Sequence, residues 1–176
     1  LRIIMEFNIR QATADDITSI VSLSLEHLEN QQVQIDEGTV QVTFQVLLEH
    51  PAYQVFVANR SDQGLVGLIT AGTCPLNDGE HNLVFLENLF VLESARSHGI
   101  AHQLIDAVMM QSTTEKPIYA TSVNSSDVAD TGTLFVNAGY RQADDHTTAR
   151  LVESLKALPL ERGLEGDLTY YTLTAQ

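Results

Sequence analysis

Cysteine is nearly absent from this chain, and no export signal is visible at its start. A single cysteine, Cys74, stands among 176 residues, so an internal disulfide framework is excluded. Residues 1–4 are mostly apolar, but Glu6 and Arg10 follow soon after and leave no hydrophobic segment of a signal peptide. We therefore expect a reducing, cytoplasmic location. Met5 is a candidate natural start, which would make residues 1–4 an N-terminal extension.

Basic residues and long apolar runs are also scarce. Nine lysines and arginines oppose 23 acids, for a net charge of −14. This balance argues against nucleic-acid binding, which needs a basic face, and it suits a cationic substrate as well as simple solubility. Apolar runs such as Leu65–Ile69 fall far short of the roughly 20 residues that span a bilayer, so no membrane partner is expected. No repeat or linker interrupts the chain, which predicts one domain over residues 1–176.

Hydrophobic periodicity predicts a chain in which strands and helices are mixed. The predicted strands are Phe7–Gln11, Gln54–Ala58, Leu65–Ala71, Leu83–Val91, Ile118–Val123, one that begins at Tyr140, and Thr169–Thr174. The predicted helices are Ile17–Leu28 behind a Thr13 cap, Val40–Leu48, Gly99–Gln111, Ala129–Asn137 and Thr147–Leu158. Together they indicate an α+β domain.

The segment with the clearest chemistry joins an apolar strand, Leu86–Val91, to a turn and helix start at Arg96–Ala101. Free backbone N–H groups and the positive end of a helix dipole converge at such a start and bind anions. Gly99 removes a Cβ where a diphosphate must approach, and Ala101 keeps the helix near the strand. An extended ligand arm can then run along the strand. An ordinary strand–helix crossover explains the same pattern.

This segment resembles the acetyl-CoA motif of the GNAT family of N-acetyltransferases, Arg/Gln-x-x-Gly-x-Gly/Ala. Arg96, Gly99 and Ala101 fill its defined positions. Phe85–Val91 is similar to the strand before that motif, especially in polyamine-type members, and Phe135–Tyr140 resembles the family's closing Tyr-x-x-x-Gly-Phe segment. The order of predicted elements matches as well. The resemblance implies a mixed, mostly antiparallel sheet of six to seven strands flanked by helices.

The resemblance also implies a cofactor site for acetyl-CoA, with no metal. The main chain of Leu89, Phe90 and Val91 would hold the pantetheine arm and polarise the thioester carbonyl. The pyrophosphate would lie beside Arg96 at the turn, among Ser97, His98, Gly99, Ile100 and Ala101. Asn124 is the predicted further cofactor contact, with Asp127 as its alternative.

An amine must lose a proton before it attacks a thioester, and a carboxylate can take that proton. Glu87 occupies the place where many family members carry such a glutamate, which makes it the candidate catalytic base. A solvent-facing or ion-paired Glu87 is the structural alternative. Glu80, His81 and Glu93 are lesser candidates. In a regular strand the neighbouring Asn88 would point to the opposite face.

The chain departs from the family pattern at two positions. Phe135 stands where many members have a tyrosine that protonates the leaving thiolate, and Val128 replaces an asparagine that often precedes it. Tyr119 and Tyr140 are alternative proton donors, although each also reads as a packing residue. The segment 144–167 is longer than the usual connection and predicts either a cover for the acceptor site, a dimer interface or a plain surface insertion.

The leading functional hypothesis is acetyl transfer from acetyl-CoA to a primary amine of a small, cationic molecule. Acetylation of a protein N-terminus or a lysine is a second enzymatic hypothesis. A non-catalytic acyl-CoA-binding or sensing domain is a third, and an unrelated nucleotide-binding crossover a fourth. A homodimer is an expectation from the resemblance alone.

Overall fold

The computed structural model describes residues 6–30, 32–124, 128–159 and 168–174. The candidate extension at residues 1–4, the alternative cofactor contact Asp127 and residues 160–167 of the predicted insertion lie outside these ranges. The strands of the described chain are β1 Phe7–Gln11, β2 Tyr53–Arg60, β3 Gly64–Pro75, β4 Asn82–Val91, β5 Pro117–Asn124, β6 Arg141–Gln142 and β7 Leu168–Thr174. The α-helices are α1 Ile17–Asn30, α2 Glu37–Glu49, α3 Ile100–Gln111, α4 Thr133–Asn137 and α5 Asp145–Leu155.

The strands form one seven-stranded sheet in the order β1-β2-β3-β4-β5-β7-β6. Strand β1 pairs antiparallel with β2, and β7 pairs antiparallel with both β5 and β6. Strands β4 and β5 run parallel, with Asn82 opposite Pro117 and Leu86 opposite Thr121. A parallel pair needs a crossover connection, which α3 provides here. The mixed, largely antiparallel sheet with flanking helices confirms the predicted fold class.

The described chain divides into two compact units, one within Leu1–Thr70 and Asn88–Gln111, the other within Ala71–Glu87 and Ser112–Gln176. The first unit contains α1, α2 and α3 with β1, β2 and the adjoining parts of β3 and β4. The second contains β5 to β7 with α4 and α5. The predicted cofactor turn lies wholly within the first unit. A single domain over the whole chain stays a prediction.

The first unit is built around apolar faces of its helices and the buried strand β2. Side chains that repeat at helical spacing are fully or nearly fully buried, among them Ile20, Val21, Leu104, Ile105 and Val108. The start of α1 is fixed by an ion pair in which the Arg10 guanidinium donates to both Asp16 carboxylate oxygens, at 2.7 and 2.8 Å. The Thr13 amide donates to the same carboxylate at 2.8 Å. These donors, Arg10 first, lower the pKa of Asp16 to about 2.

The second unit has its own core, in which aromatic pairs are prominent. Phe85 lies against Tyr170 with ring centroids 6.4 Å apart, and Phe135 meets Tyr140 edge-on at 5.3 Å. Helix α5 is held by Ser154, whose hydroxyl accepts a hydrogen bond from the Asn77 amide at 3.0 Å. The predicted extra helix is therefore part of a packed unit over its described length.

Several predicted helix boundaries were wrong, including the end of α5, which lies at Leu155 and not at Leu158, and side-chain caps explain two of them. Helix α2 begins at Glu37 because the Asp36 carboxylate accepts from the Thr39 amide at 3.0 Å. Helix α5 begins at Asp145 because Asp144 caps Thr147 in the same way, at 2.7 Å. The predicted helix Ala129–Asn137 is π-helical over Val128–Gly132 and α-helical only from Thr133. The weak helix formers Asp130, Thr131 and Gly132 occupy that irregular part.

Candidate active site

The turn between β4 and α3 exposes main-chain N–H groups. After a short 3₁₀ turn at Glu93–Ala95, Ser97 and Gly99 adopt left-handed conformations with φ of 64° and 75°, and α3 begins at Ile100. Left-handed residues just before a helix start are typical of anion-binding backbone nests, and we call the turn at residues 97–99 the nest. Gln103 donates the first helical hydrogen bond, to the Gly99 carbonyl at 3.1 Å. The amides of the first helical turn are therefore available to a ligand, as the motif predicts.

Two side chains of this turn stabilise it through hydrogen bonds to main-chain carbonyl oxygens. The Arg96 Nε atom donates to the Val91 carbonyl oxygen at 3.0 Å, which ties the turn to the end of β4. The His98 Nδ1 atom lies 2.7 Å from the Arg96 carbonyl oxygen and donates to it, and the ring contacts Phe7 with centroids 5.6 Å apart. Residues 96–99 are all exposed. The structure thus brings together the predicted residues Val91, Arg96 and His98, and it gives the latter two bracing contacts.

The end of β4 is held closely against β3 within the first unit. A Cβ atom at Gly67 would lie only 3.0 Å from the Phe90 carbonyl oxygen, so glycine permits this approach. The Leu92 amide donates to the Val66 carbonyl oxygen at 2.8 Å. Phe90 is 5% exposed and Leu89 is half-buried. These contacts fix the main chain that the resemblance assigns to pantetheine.

Strand β4 is irregular beside the predicted catalytic base. Asn88 has a φ of 51°, so the assumption of a regular strand, on which Glu87 and Asn88 face opposite sides, was wrong. The Asn88 side-chain amide donates to the Thr70 hydroxyl at 3.0 Å. Glu87 itself is half-buried at the end of the second unit's part of β4, and its role as base stays a prediction.

Two of the lesser acid–base candidates, Glu80 and His81, lie in surface ion pairs of the second unit, whereas Glu93 is exposed in the 3₁₀ turn of the first unit. The His81 ring nitrogen Nδ1 is 2.8 Å from the Asp78 carboxylate, and Arg150 lies 3.0 Å from the same carboxylate. The amides of His81 and Glu80, followed by the His81 ring, hold the pKa of Asp78 well below its usual value. Glu80 pairs with Lys116 at 2.7 Å. These groups build the loop after β3.

The other predicted site residues of the second unit are one exposed asparagine and three buried aromatic residues. Asn124 is exposed at the end of β5, opposite Leu168 of β7, and its cofactor contact stays a prediction. Phe135, at the family's usual tyrosine position, is 2% exposed and packs on Tyr140. Tyr119 and Tyr140 are also buried, at 4% and 2% exposure. Burial supports the packing interpretation of all three rings.

A cavity of about 200 Å³ lies in the first unit between α1, α2, β3 and β4, and we call it the α1–α2 cavity. Its apolar lining comes from Leu28, Ile35, Val40, Phe44, Leu68 and Phe90. Its polar lining comes from Ser24, His27, Thr43 and Asn88. Two of these residues, Asn88 and Phe90, belong to the stretch of β4 that leads into the turn. The cavity and the predicted thioester segment therefore share a strand.

His27 is the titratable residue in the lining of this cavity. Its ring lies on Phe90 with centroids 4.3 Å apart and planes tilted by 38°. Burial lowers the pKa of His27, and the charge of Arg96 lowers it further. Both effects favour the neutral imidazole at neutral pH, so the cavity is lined without a formal charge over its described residues.

A second, wider hollow of about 620 Å³ also borders the turn. His98 and Gln103 contribute to it, together with Glu6, residues of β1 and the end of β2. The acidic Glu6 in its lining disfavours a diphosphate there. The main-chain nest remains the better anion site.

Sequence reasoning missed every helical residue of the α1–α2 cavity. Ser24, His27 and Leu28 in α1 have the spacing i, i+3, i+4, and Val40, Thr43 and Phe44 in α2 repeat it. That shared spacing places each trio on one helix face and was a readable signal. The spacing alone did not indicate that these faces of α1 and α2 meet over β4.

A mixed sheet with an anion-binding turn between its fourth strand and the next helix is the architecture of acyl-CoA-dependent N-acyltransferases. A sequence profile described as "Acetyltransferase (GNAT) domain" matches residues 22–155. Because this match spans most of the chain, the protein belongs to the GNAT family and is an acyl-CoA-dependent N-acetyltransferase. Membership supports acetyl-CoA as the cosubstrate. No curated protein sequence matches the chain significantly.

Solved structures of the same fold are numerous and distant in sequence. A GNAT acetyltransferase from Staphylococcus aureus Mu50 is 17% identical, with a TM-score of 0.69 over 94% of this chain and 98% of that one. Arabidopsis thaliana NAA60, in complex with a bisubstrate analogue, is 18% identical with a TM-score of 0.66 over 96% and 98%. An aminoglycoside N-acetyltransferase AAC(6')-Iy in complex with CoA is 20% identical, with a TM-score of 0.64 over 77% and 89%.

No described helix is both long and apolar enough to cross a membrane. No cluster of three or more histidine, cysteine, aspartate or glutamate side chains in the described ranges has a metal-binding arrangement.

Proposed function

We propose that the protein transfers the acetyl group of acetyl-CoA to the primary amine of a small, cationic molecule. The observation that carries this proposal is the position of β4 within the first unit. Its end leads into the nest at Ser97 and Gly99, and its residues Asn88 and Phe90 line the α1–α2 cavity. A cofactor held at the nest and an acceptor held in the cavity would meet along that strand. The net charge of −14 favours a cationic acceptor.

In the proposed reaction the nest amides bind the pyrophosphate, and the main chain of residues 89–91 orients the thioester. The acceptor arrives as an ammonium ion and gives one proton to the Glu87 carboxylate, directly or through water. The amine nitrogen then forms a bond to the thioester carbonyl carbon. As the carbon–sulfur bond breaks, the thiolate leaves with the electron pair, and it takes up the second proton that the nitrogen releases as the amide forms. The products are an N-acetyl amine and the free thiol of CoA.

Two alternatives are kept. Acetylation of a protein N-terminus or lysine would use the same chemistry, and one structural neighbour is NAA60 bound to a bisubstrate analogue. A non-catalytic acyl-CoA-binding domain would use the nest alone. The cytoplasmic location, the homodimer and the absence of nucleic-acid and membrane partners stay predictions.

The test is free-thiol release from acetyl-CoA over a panel of primary amines, with Glu87→Gln beside the wild type. We expect amine-dependent release that falls by about 100-fold in Glu87→Gln, because general base catalysis commonly contributes that much, with acetyl-CoA binding unchanged. Glu80→Gln is the matched control, since Glu80 is 61% exposed and paired with Lys116. It should lose less than about twofold, as exposed pairs contribute little.

Each other result removes one part of the proposal. Equal loss in both variants would remove Glu87 as the base. Binding of acetyl-CoA without thiol release, with any amine or peptide, would favour the sensing domain. Release with N-terminal or lysine peptides only would favour the protein substrate.

A further inference from the structure

The wall of the α1–α2 cavity is mostly apolar and lacks acids. Six of its ten lining residues are apolar, and none of the ten, all of them described, is aspartate or glutamate. An apolar cavity of about 150 Å³ is known to bind benzene. At about 200 Å³ this cavity has room for one aromatic ring or a short branched alkyl chain. Ile35, 44% exposed, adds an unburied apolar side chain to its lining.

Polar groups meet this apolar space on the strand that leads to the nest. Asn88 gives its side-chain N–H to Thr70, while its Oδ1 atom accepts no hydrogen bond from the described part of the chain. His27 lies on Phe90, the residue whose main chain is assigned to the thioester. The cavity is therefore amphipathic, with hydrogen-bonding groups on both helices and on β4 among mostly hydrocarbon side chains.

We infer that the α1–α2 cavity holds the apolar body of the acceptor, and that the acceptor is a primary monoamine with one aromatic or branched alkyl group. Its amino group lies beside Asn88 and Phe90, where the Asn88 Oδ1 atom accepts an N–H. This inference rests on the proposed acetyl transfer and narrows its substrate class. The net charge of the chain attracts the cation, while the cavity selects its hydrocarbon part.

The same lining disfavours polyamines. A second ammonium group of a diamine would have to lie among Leu28, Val40 and Phe44, where no described carboxylate pairs with it. Burial of an unpaired charge costs far more free energy than the hydrocarbon part of the same molecule gains by leaving water. The polyamine-type resemblance of β4 therefore does not extend to this acceptor cavity.

The experiment compares phenethylamine with putrescine as acceptors for the wild type and two valine variants. Val40→Phe fills the cavity from α2, where Val40 is 5% exposed. Val42→Phe makes the same change on the same helix, where Val42 is 59% exposed and outside the lining. We expect the wild type to favour phenethylamine by at least about tenfold in kcat/KM, the usual discrimination of an apolar pocket.

Val40→Phe should lower kcat/KM for phenethylamine by about tenfold through KM, with the KM for acetyl-CoA unchanged, because the ring occupies the acceptor's space. Val42→Phe should stay within about twofold, as expected for a surface change. Thr43→Leu, a smaller filling change, gives a second test if Val40→Phe fails to fold, and we expect an intermediate loss.

Three outcomes would overturn the inference while leaving acetyl transfer intact. The first is equal or better use of putrescine. The second is normal phenethylamine kinetics in folded cavity-filled variants. The third is use of peptides alone. Failure of the wild type to bind acetyl-CoA, or to release thiol with any acceptor, would instead remove the proposed function itself.

Discussion

The two regions that flank the end of β4 are built from different parts of the polypeptide. At the turn, Ser97 and Gly99 present main-chain N–H groups, and the side chains of Arg96 and His98 serve as braces. At the α1–α2 cavity, side chains from two helices, two strands and the segment that joins the helices define the surface. In the proposed function, backbone conformation would therefore select the donor of the acetyl group, and side-chain chemistry would select the acceptor.

The largest effect is expected at Gly99, compared with Gly64. Both glycines are exposed with positive φ, 75° and 78°. A Cβ would meet nothing within 4 Å at Gly64 and only the side-chain nitrogen of Gln103, at 3.9 Å, at Gly99. A valine at either site costs about 1–2 kcal/mol of stability through left-handed strain. Only Gly99→Val disturbs the nest, so it should weaken acetyl-CoA binding by about 30-fold. Calorimetric titration and thermal unfolding of both variants check this prediction.

Equal stability losses with unequal affinities would assign the loss of acetyl-CoA binding to the turn itself. If Gly64→Val weakens acetyl-CoA binding as much as Gly99→Val does, strain alone is responsible. The nest would then lose its assigned role.

An intermediate effect is expected at Asp16, which fixes the start of the helix that lines the cavity. Asp16→Asn removes the paired charge beside Arg10 and should lower the free energy of unfolding by about 1–2 kcal/mol at neutral pH. The folded-state pKa of about 2 lies below the usual 3.8, so this stabilisation is present above pH 3.8 and is lost as the pH falls toward about 2. Urea unfolding at several pH values measures both quantities.

The matched control is Asp15→Asn, because Asp15 is the exposed neighbour of Asp16 in the same short turn. Its stability should stay within about 0.5 kcal/mol of the wild type. A gap between wild type and Asp16→Asn that stays undiminished at about pH 2 or below would contradict the ion-pair explanation.

The smallest effect is expected at His27, the titratable residue in the lining of the α1–α2 cavity. Burial, with help from Arg96, lowers the folded-state pKa below 6.5, so the unfolded chain takes up this proton at a higher pH than the folded chain. Stability should therefore fall as the pH drops through about 6.5, by a few tenths of a kcal/mol more in the wild type than in His27→Gln. Denaturant unfolding between about pH 7.5 and 5.5 measures it. If the wild type instead becomes more stable relative to His27→Gln as the pH falls, the pKa of His27 is not lowered by burial and this explanation is wrong.

Most of the fold was readable from the sequence because its signals are local. Alternation along residues 7–11 and 169–174 and helical spacing after Thr13 placed elements where the structure has them. The predicted starts of α2 and α5 were wrong because the capping residues, Asp36 and Asp144, lie within polar stretches where other polar residues could also cap a helix. The π-helical turn at Val128–Gly132, directly before α4, could not be predicted, because a single sequence carries no periodic pattern that marks such a turn.

The candidate site divides in the same way. The turn was predictable because Gly99 and its neighbours lie within six consecutive residues. The irregularity at Asn88 was not, since a positive φ at asparagine depends on the tertiary hydrogen bond to Thr70. The cavity was not either, because Leu28, Val40 and Leu68 are separated by many residues and meet only in the packed unit.

The most direct test of the central claim is to follow backbone amide resonances while CoA is added to the isotope-labelled protein. We predict that the amides of Ser97, Gly99, Ile100 and Ala101 shift most, in a saturable manner, because they bind the diphosphate through the main chain. Saturable binding that leaves these four resonances unchanged would contradict the account.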